Sequence, residues 1–223
     1  MIEENNSDLV CCNYKKIYNN KMKDNPKIIC KKIYEENDLG KGIDILHKGK
    51  AFNILWNKIY KTEIIKKNNI RLDVQIWRGE DYKFNIDYFK YINKIVITNE
   101  SLYNYCIGNS GLTSKYDYKE FERRISNLNH HRDLYMEKGF DLSYVNTLYI
   151  ISAVAGVTKI DSKKENLSRQ QLKKRIIEIV NNEDLEKSLK MKNDGNIIVK
   201  IFSRILKHKL INCMIFINKL KIK

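Results

Sequence analysis

The sequence predicts an α/β fold followed by a helical extension, and three observations lead there. Up to residue 105, short apolar runs rich in β-branched and aromatic residues alternate with segments of helical periodicity. Strand signals stop at a Gly/Ser/Asn segment, residues 108 to 114, and only helical patterns follow it. Within that second part, SYVNTLYIISAVAGV at residues 143 to 157 is apolar nearly all round, which predicts a central helix.

The elements follow in order. Asp8 to Tyr14 reads as a short apolar strand, then a polar, lysine-rich connection from Lys15 to Asn25, then a second strand candidate from Ile28 to Tyr34. Ile43, Leu46 and His47 lie at helical spacing after Gly40 and Gly42, and Thr62 to Asn69 forms a second helix ending at paired asparagines. Between them AFNILWNKIY, residues 51 to 60, is too aromatic for a loop. A helix over residues 81 to 93, with Phe84, Tyr88 and Tyr91 on one face, is opened by Glu80-Asp81, because acidic groups suit a helix N-terminus. Ile95 to Ile97 and Ser101 to Tyr105 are strands. Asp117-x-x-Glu120 reads as a capping box for a helix carrying Phe121, Ile125 and Leu128 and stopped by Gly139. Ser168-x-x-Gln171 caps another, with Leu172, Ile176 and Val180 inward. The boundaries expected are 1–115, 116–194 and 195–223.

Composition narrows the function classes. The 223 residues carry 42 Lys+Arg against 27 Asp+Glu, net +15, and are 43% hydrophobic and 10% aromatic, enough to build a core and too much for a disordered polycation. Nine glycines and one proline exclude collagen-like and Pro-rich chains. Asn, Ile, Lys and Tyr are over-used throughout, the bias of an AT-rich genome, so part of the charge reflects codon usage. Five cysteines, Cys11, Cys12, Cys30, Cys106 and Cys213, include no C-x-x-C pair. They form neither a disulfide framework nor a zinc site, and they suit a reducing cytoplasm. His130 and His131 point about 100° apart on a helix and are expected to be solvated. The start, MIEENNSDLV, carries no leader pattern, and no apolar run reaches the length of a spanning helix.

From residue 195 onward there is no acidic residue, while Lys200, Arg204, Lys207, Lys209, Lys219, Lys221 and Lys223 add seven positive charges. Ile198, Ile201, Phe202 and Ile205 share one helical face, and the apolar run Leu210 to Ile217 follows. Such a basic amphipathic tail reads either as an anchor at an anionic membrane surface or as a helix docked on the core with solvated lysines.

Three pieces of the first part resemble, in order and spacing, the family-two nucleotide-sugar glycosyltransferases of the GT-A fold. They are LWNKIYKTEIIKKNN at 55 to 69, Gly79-Glu80-Asp81 opening a helix, and Leu102-Tyr103-Asn104-Tyr105 running into the Gly108-to-Thr113 loop. The resemblance covers about residues 3 to 116 and implies an inverting transfer of a sugar from a nucleotide-sugar to a cell-surface glycan or lipid-linked acceptor. In it Asp81 is the general base and Glu80 its partner; from these residues alone, a capped helix with an acidic first turn is the better reading, and the surrounding matches reverse that preference. Trp56 offers a flat face to a sugar ring, Lys58 a cation for a phosphate or for the base carboxylate, and Trp77 a wall for an acceptor pocket. Core packing of Trp56 with a surface Lys58 fits the same residues. Cys106 stands where the family often has an arginine, so a cation for the diphosphate is missing; Ser110 and Thr113 still offer hydroxyls, and a plain turn fits the same residues.

The family's opening V-S-V-I-I-P-x-Y-N strand and its D-x-D metal motif do not occur. The expectation is therefore a partial GT-A-like α/β part lacking its donor-binding half, inactive alone, on the cytoplasmic side of a bacterial membrane. It binds no cofactor by itself; Mg or Mn belongs to a full-length relative. A separate donor-binding half or an intact homologue is the expected protein partner. The rivals are a basic helical module for nucleic acid and a non-catalytic accessory subunit. Against nucleic acid stand the lack of a readable recognition helix and the concentration of charge beside an apolar tail.

Overall fold

The computed structural model describes residues 1–18, 21–24, 31–76, 78–107 and 116–220. They fall into two compact units, Met1–Lys115 and Tyr116–Lys223.

The first unit is built on a sheet whose strands β1 (Leu9–Tyr18), β2 (Lys21–Asp24), β3 (Lys32–Tyr34), β4 (Lys58–Tyr60) and β5 (Ile95–Cys106) take the order β2-β1-β5-β3. β4 and β2 share one edge of β1: β4 runs antiparallel beside Leu9 to Cys11 and β2 antiparallel beside Lys15 to Tyr18. β1 and β5 are parallel, the pairing that needs a crossover between them, and β3 closes the other edge antiparallel to β5. Leu9, Cys11, Ile95 and Val96 are 5% exposed or less, so this end of the sheet is covered on both faces, which is why it reads as an unbroken apolar run. Beyond Thr98 most of β5 is exposed.

The strands are longer than their apolar runs. β1 continues through Lys15 to Tyr18, where the sequence reads as a connection, and β5 joins two expected strands into one of 12 residues. In both, ladder hydrogen bonds extend polar stretches that hydrophobic periodicity cannot register. Residues 51 to 57, expected to be regular, form an irregular turn segment, because their aromatic content serves anchoring: Phe52, fully buried, stacks on His47 at 4.2 Å and meets Tyr82 and Phe89 at 5.2 Å each.

Helices α1 (Leu39–Lys48), α2 (Thr62–Lys67) and α3 (Glu80–Phe89) complete this unit. α1 lies so close to the sheet that a Cβ on Gly42 would come within 2.6 Å of Ile95 Cδ1, so only glycine lets the helix settle there. α3 ends at Phe89, and Tyr91, expected on one helical face with Phe84 and Tyr88, lies beyond the helix and is 49% exposed.

The second unit is helical: α4 (Glu120–Lys138), α5 (Ser143–Lys159), α6 (Arg169–Val180), α7 (Glu183–Lys190), α8 (Ile197–Lys207) and α9 (Ile211–Leu220). α5 packs against each of the others, as its all-round apolarity requires. The Ser168/Gln171 capping box forms in both directions and Gly139 ends α4 in the left-handed conformation. The Asp117 capping box does not form. α4 starts after Lys119 without a side-chain cap, and the Asp117 carboxylate instead pairs with Arg123 at 2.9 Å. His131 is fully buried beside Tyr135, contrary to the solvated position expected, and burial pushes its pKa down to about 3. The segment expected as a tail folds as α8 and α9, with Leu206 and Met214 buried and the Asn218 amide donating to the carbonyls of Val157 and Ile160 at the end of α5.

Candidate active site

The site is organised by one face of α3. Gly79, with φ at 95°, turns the chain into the helix in a conformation that L side chains resist, and this places Glu80 and Asp81 in the first turn. Asp81, Asn85 and Tyr88 follow at spacings of four and three, so they line one face. The Asp81 carboxylate accepts the Leu55 N–H. Asn85, fully buried, donates to the Phe52 carbonyl at 2.6 Å and accepts the Tyr60 hydroxyl at 2.8 Å. The Tyr88 hydroxyl donates to the Asp8 carbonyl at 2.7 Å and accepts the Lys61 N–H at 2.9 Å. Three side chains of α3 thus hold the 51–57 segment, β4 and the start of β1.

The other side of that segment is held by Lys58. Its ammonium is enclosed by carbonyl oxygens, donating to Ala51 at 2.5 Å and to Ile54, with the Asn57 side-chain oxygen at 3.0 Å. Burial lowers the Lys58 pKa to about 8, opposed by the neighbouring Cys11, Asp81 and Cys12. Asn57 in turn donates to Cys11 Sγ at 3.2 Å and to the Cys12 carbonyl at 3.0 Å, fixing the segment to β1. Burial pushes the Cys11 thiol up to about 11, so it packs as a neutral side chain and is no nucleophile.

Asp81 is half-buried, and its pKa is raised, first by burial and next by the Glu80 carboxylate beside it; Lys58 and the Leu55 N–H act in the opposite sense. A carboxylate held by a backbone N–H, open on one side and more basic than a free aspartate, has the properties of a general base.

Trp56 adjoins this carboxylate through Leu55, but its ring is engaged by three tyrosines. It stacks on Tyr103 at 4.5 Å and Tyr105 at 5.1 Å and takes the edge of Tyr14 at 4.7 Å. The Y-x-Y pattern therefore builds a platform with Trp56 across β1 and β5. Of the expected site residues, the fold brings together Glu80, Asp81, Trp56 and Lys58, with the lysine's donors directed to carbonyls. Trp77, Ser110 and Thr113 lie outside the described residues. Asn57 and Asn85 escaped the sequence reading; an asparagine inside an apolar run is the one signal that marks them. No group of three or more His, Cys, Asp or Glu side chains converges among the described residues.

The mixed sheet and its helices match a glycosyltransferase-like structure. No protein-family model matches the chain. An uncharacterized glycosyltransferase of Bacillus subtilis (strain 168), EpsJ, is 22% identical over 138 residues, which is 58% of this chain and 40% of that protein. The crystal structure of S. aureus TarS 1–349 in complex with UDP-GlcNAc superposes with a TM-score of 0.57 at 13% identity, covering 98% of this chain and 60% of that one. The chain thus spans 40% and 60% of the lengths of these two proteins, under two thirds of each.

Proposed function

We propose that this chain forms the acceptor side of a nucleotide-sugar glycosyltransferase of the GT-A, family-two type, acting on a cell-surface glycan or lipid-linked acceptor in polysaccharide biosynthesis. The observation that carries the reading is the Asp81 carboxylate, made more basic than usual by burial and by Glu80, at the head of α3 in a glycosyltransferase-like fold. The structural neighbour's complex with UDP-GlcNAc supports a nucleoside-diphosphate sugar as the donor class.

In this reading Asp81 accepts the proton of an acceptor hydroxyl as that oxygen bonds to the anomeric carbon. The bond from that carbon to the phosphate oxygen breaks on the opposite face, and its electron pair leaves with the nucleoside diphosphate. Glu80 keeps Asp81 basic, and the Leu55 N–H holds it in place. The Trp56–Tyr103–Tyr105 platform presents the apolar surface that a sugar face stacks on. No step is assigned to a metal or to Lys58. A location on the cytoplasmic side suits the thiols of Cys11, Cys12, Cys106 and Cys213, none of them in a disulfide.

The assignment is tested by mapping amide shifts of the chain during titration with a panel of mono- and oligosaccharides. Saturable shifts clustered at Leu55, Trp56 and Tyr82 are expected. Shifts confined to the helical unit would contradict it.

A further inference from the structure

We propose that the outer face of α8, together with the groove between it and α5, docks on an anionic bilayer surface. The inference is independent of sugar transfer and rests on the second unit alone.

Although α8 is packed, it is packed on its narrower side: Leu206 is buried, and Val199 and Phe202 are half-buried against the bundle. At about 100° per residue, Ile197, Ile198, Ile201 and Ile205 fall on a neighbouring arc. Of these, Ile197 is 70%, Ile198 56% and Ile201 50% exposed. The stripe continues into a groove of about 510 Å³ lined by Ile151, Val154, Ala155, Ile198, Val199 and Phe202, and Ile151 on α5 is itself 42% exposed. An apolar patch of this kind is unusual on a surface that meets only water.

Charge decides what covers it. Lys200, Arg204 and Lys207 are exposed and, at the same angular increment, form a basic arc along the other margin of the isoleucine stripe. Among the described residues none of the three is in an ion pair, and the sequence from residue 195 to its end has seven Lys/Arg and no Asp or Glu. A second copy seated face to face would press this unbalanced positive charge against itself. A nucleic acid would satisfy the cations and leave the isoleucines wet. An anionic bilayer satisfies both, with isoleucines at the acyl boundary and cations at the headgroups. No helix among the described residues is long and apolar enough to cross a membrane, and α8, about 16 Å long, suits a position in the interface plane.

Flotation of the full chain with vesicles of phosphatidylcholine, with and without 30% phosphatidylglycerol, tests this. Binding is expected to the anionic vesicles only. Ile198→Glu/Ile201→Glu is expected to weaken it at least tenfold, and each charge reversal at Lys200 or Arg204 about fivefold or more. These positions are exposed, so unchanged far-ultraviolet circular dichroism and melting separate loss of docking from loss of fold. Phe216→Glu, on the outer face of α9, is expected to bind like the parent. The proposal is overturned by absence of binding, by equal binding to neutral vesicles, or by a double isoleucine variant that floats normally. It is equally overturned if that variant abolishes self-association in light scattering, or if a 30-mer oligonucleotide binds more tightly than the vesicles at physiological salt.

Discussion

Lys58 ties the 51–57 segment together from within, through the hydrogen bonds of its side-chain nitrogen. Four carbonyl-type acceptors surround the ammonium, those of Ala51, Phe52, Ile54 and the Asn57 side chain, and its pKa of about 8 lies below the lysine value of 10.5 because burial favours the neutral amine. Lys58 therefore sheds its proton near pH 8 in the folded chain and near 10.5 when unfolded. Between these values the unfolded chain binds the extra proton, so this group makes stability rise with pH across that window and adds no slope below it. The midpoint of the Lys58 Cε resonance is expected near 8, and subtracting the Lys58→Met pH–stability curve from the parent's isolates the rising limb. Asp81 has the opposite sense: its raised pKa makes its charged, proton-accepting form disappear at a higher pH than for a free aspartate, so any rate dependent on it falls from that point downward. The acidic pair, Trp56 and Lys58 were singled out only by the order in which several unspecific pieces follow one another. Their bonding was not legible, since Lys58 reaches carbonyls of its own segment and Trp56 is taken up by tyrosines 47 and 49 positions later.

At the scale of elements, α3 is the clamp. Its Asp81, Asn85 and Tyr88 reach the 51–57 segment, β4 and β1, so the helix orders the site as well as presenting the Asp81 carboxylate. Asn85→Leu, nearly isosteric, is expected to leave the Phe52 carbonyl and the Tyr60 hydroxyl without this partner, at a cost of about 1–3 kcal/mol for each in denaturant unfolding. Gly79→Ala is expected to cost about 1–2 kcal/mol, because φ is 95° there. Helix positions were legible where an apolar stripe or a cap marked them, as at Ser168 and Gly139. The extension of β1 to Tyr18 was hidden, because a polar strand stabilised by its ladder has the local pattern of a loop. The Asp117 signature misled for a related reason: Arg123, six residues on, competes for the carboxylate that would have capped the helix.

For the whole molecule, one unit carries the acidic pair and the other is a helical bundle whose last two helices concentrate positive charge. The α/β-then-helical division was legible because the period of hydrophobicity changes near residue 115, which is also where the two compact units divide. The depth of packing of residues 195 to 220 was not legible, since a basic amphipathic helix looks alike whether its apolar face meets a bundle, a membrane, or both in turn. The central claim is that Asp81 is the base of a sugar transfer. It is tested most directly by joining this chain to the donor-binding half of a related glycosyltransferase and measuring nucleoside-diphosphate release with acceptor, for the parent and for Asp81→Asn. Little or no release is expected from the chain alone, acceptor-dependent release from the joined protein, and a loss of about 10²–10⁴-fold in Asp81→Asn with unchanged melting. Release at the parent rate from the Asp81→Asn protein would contradict the claim.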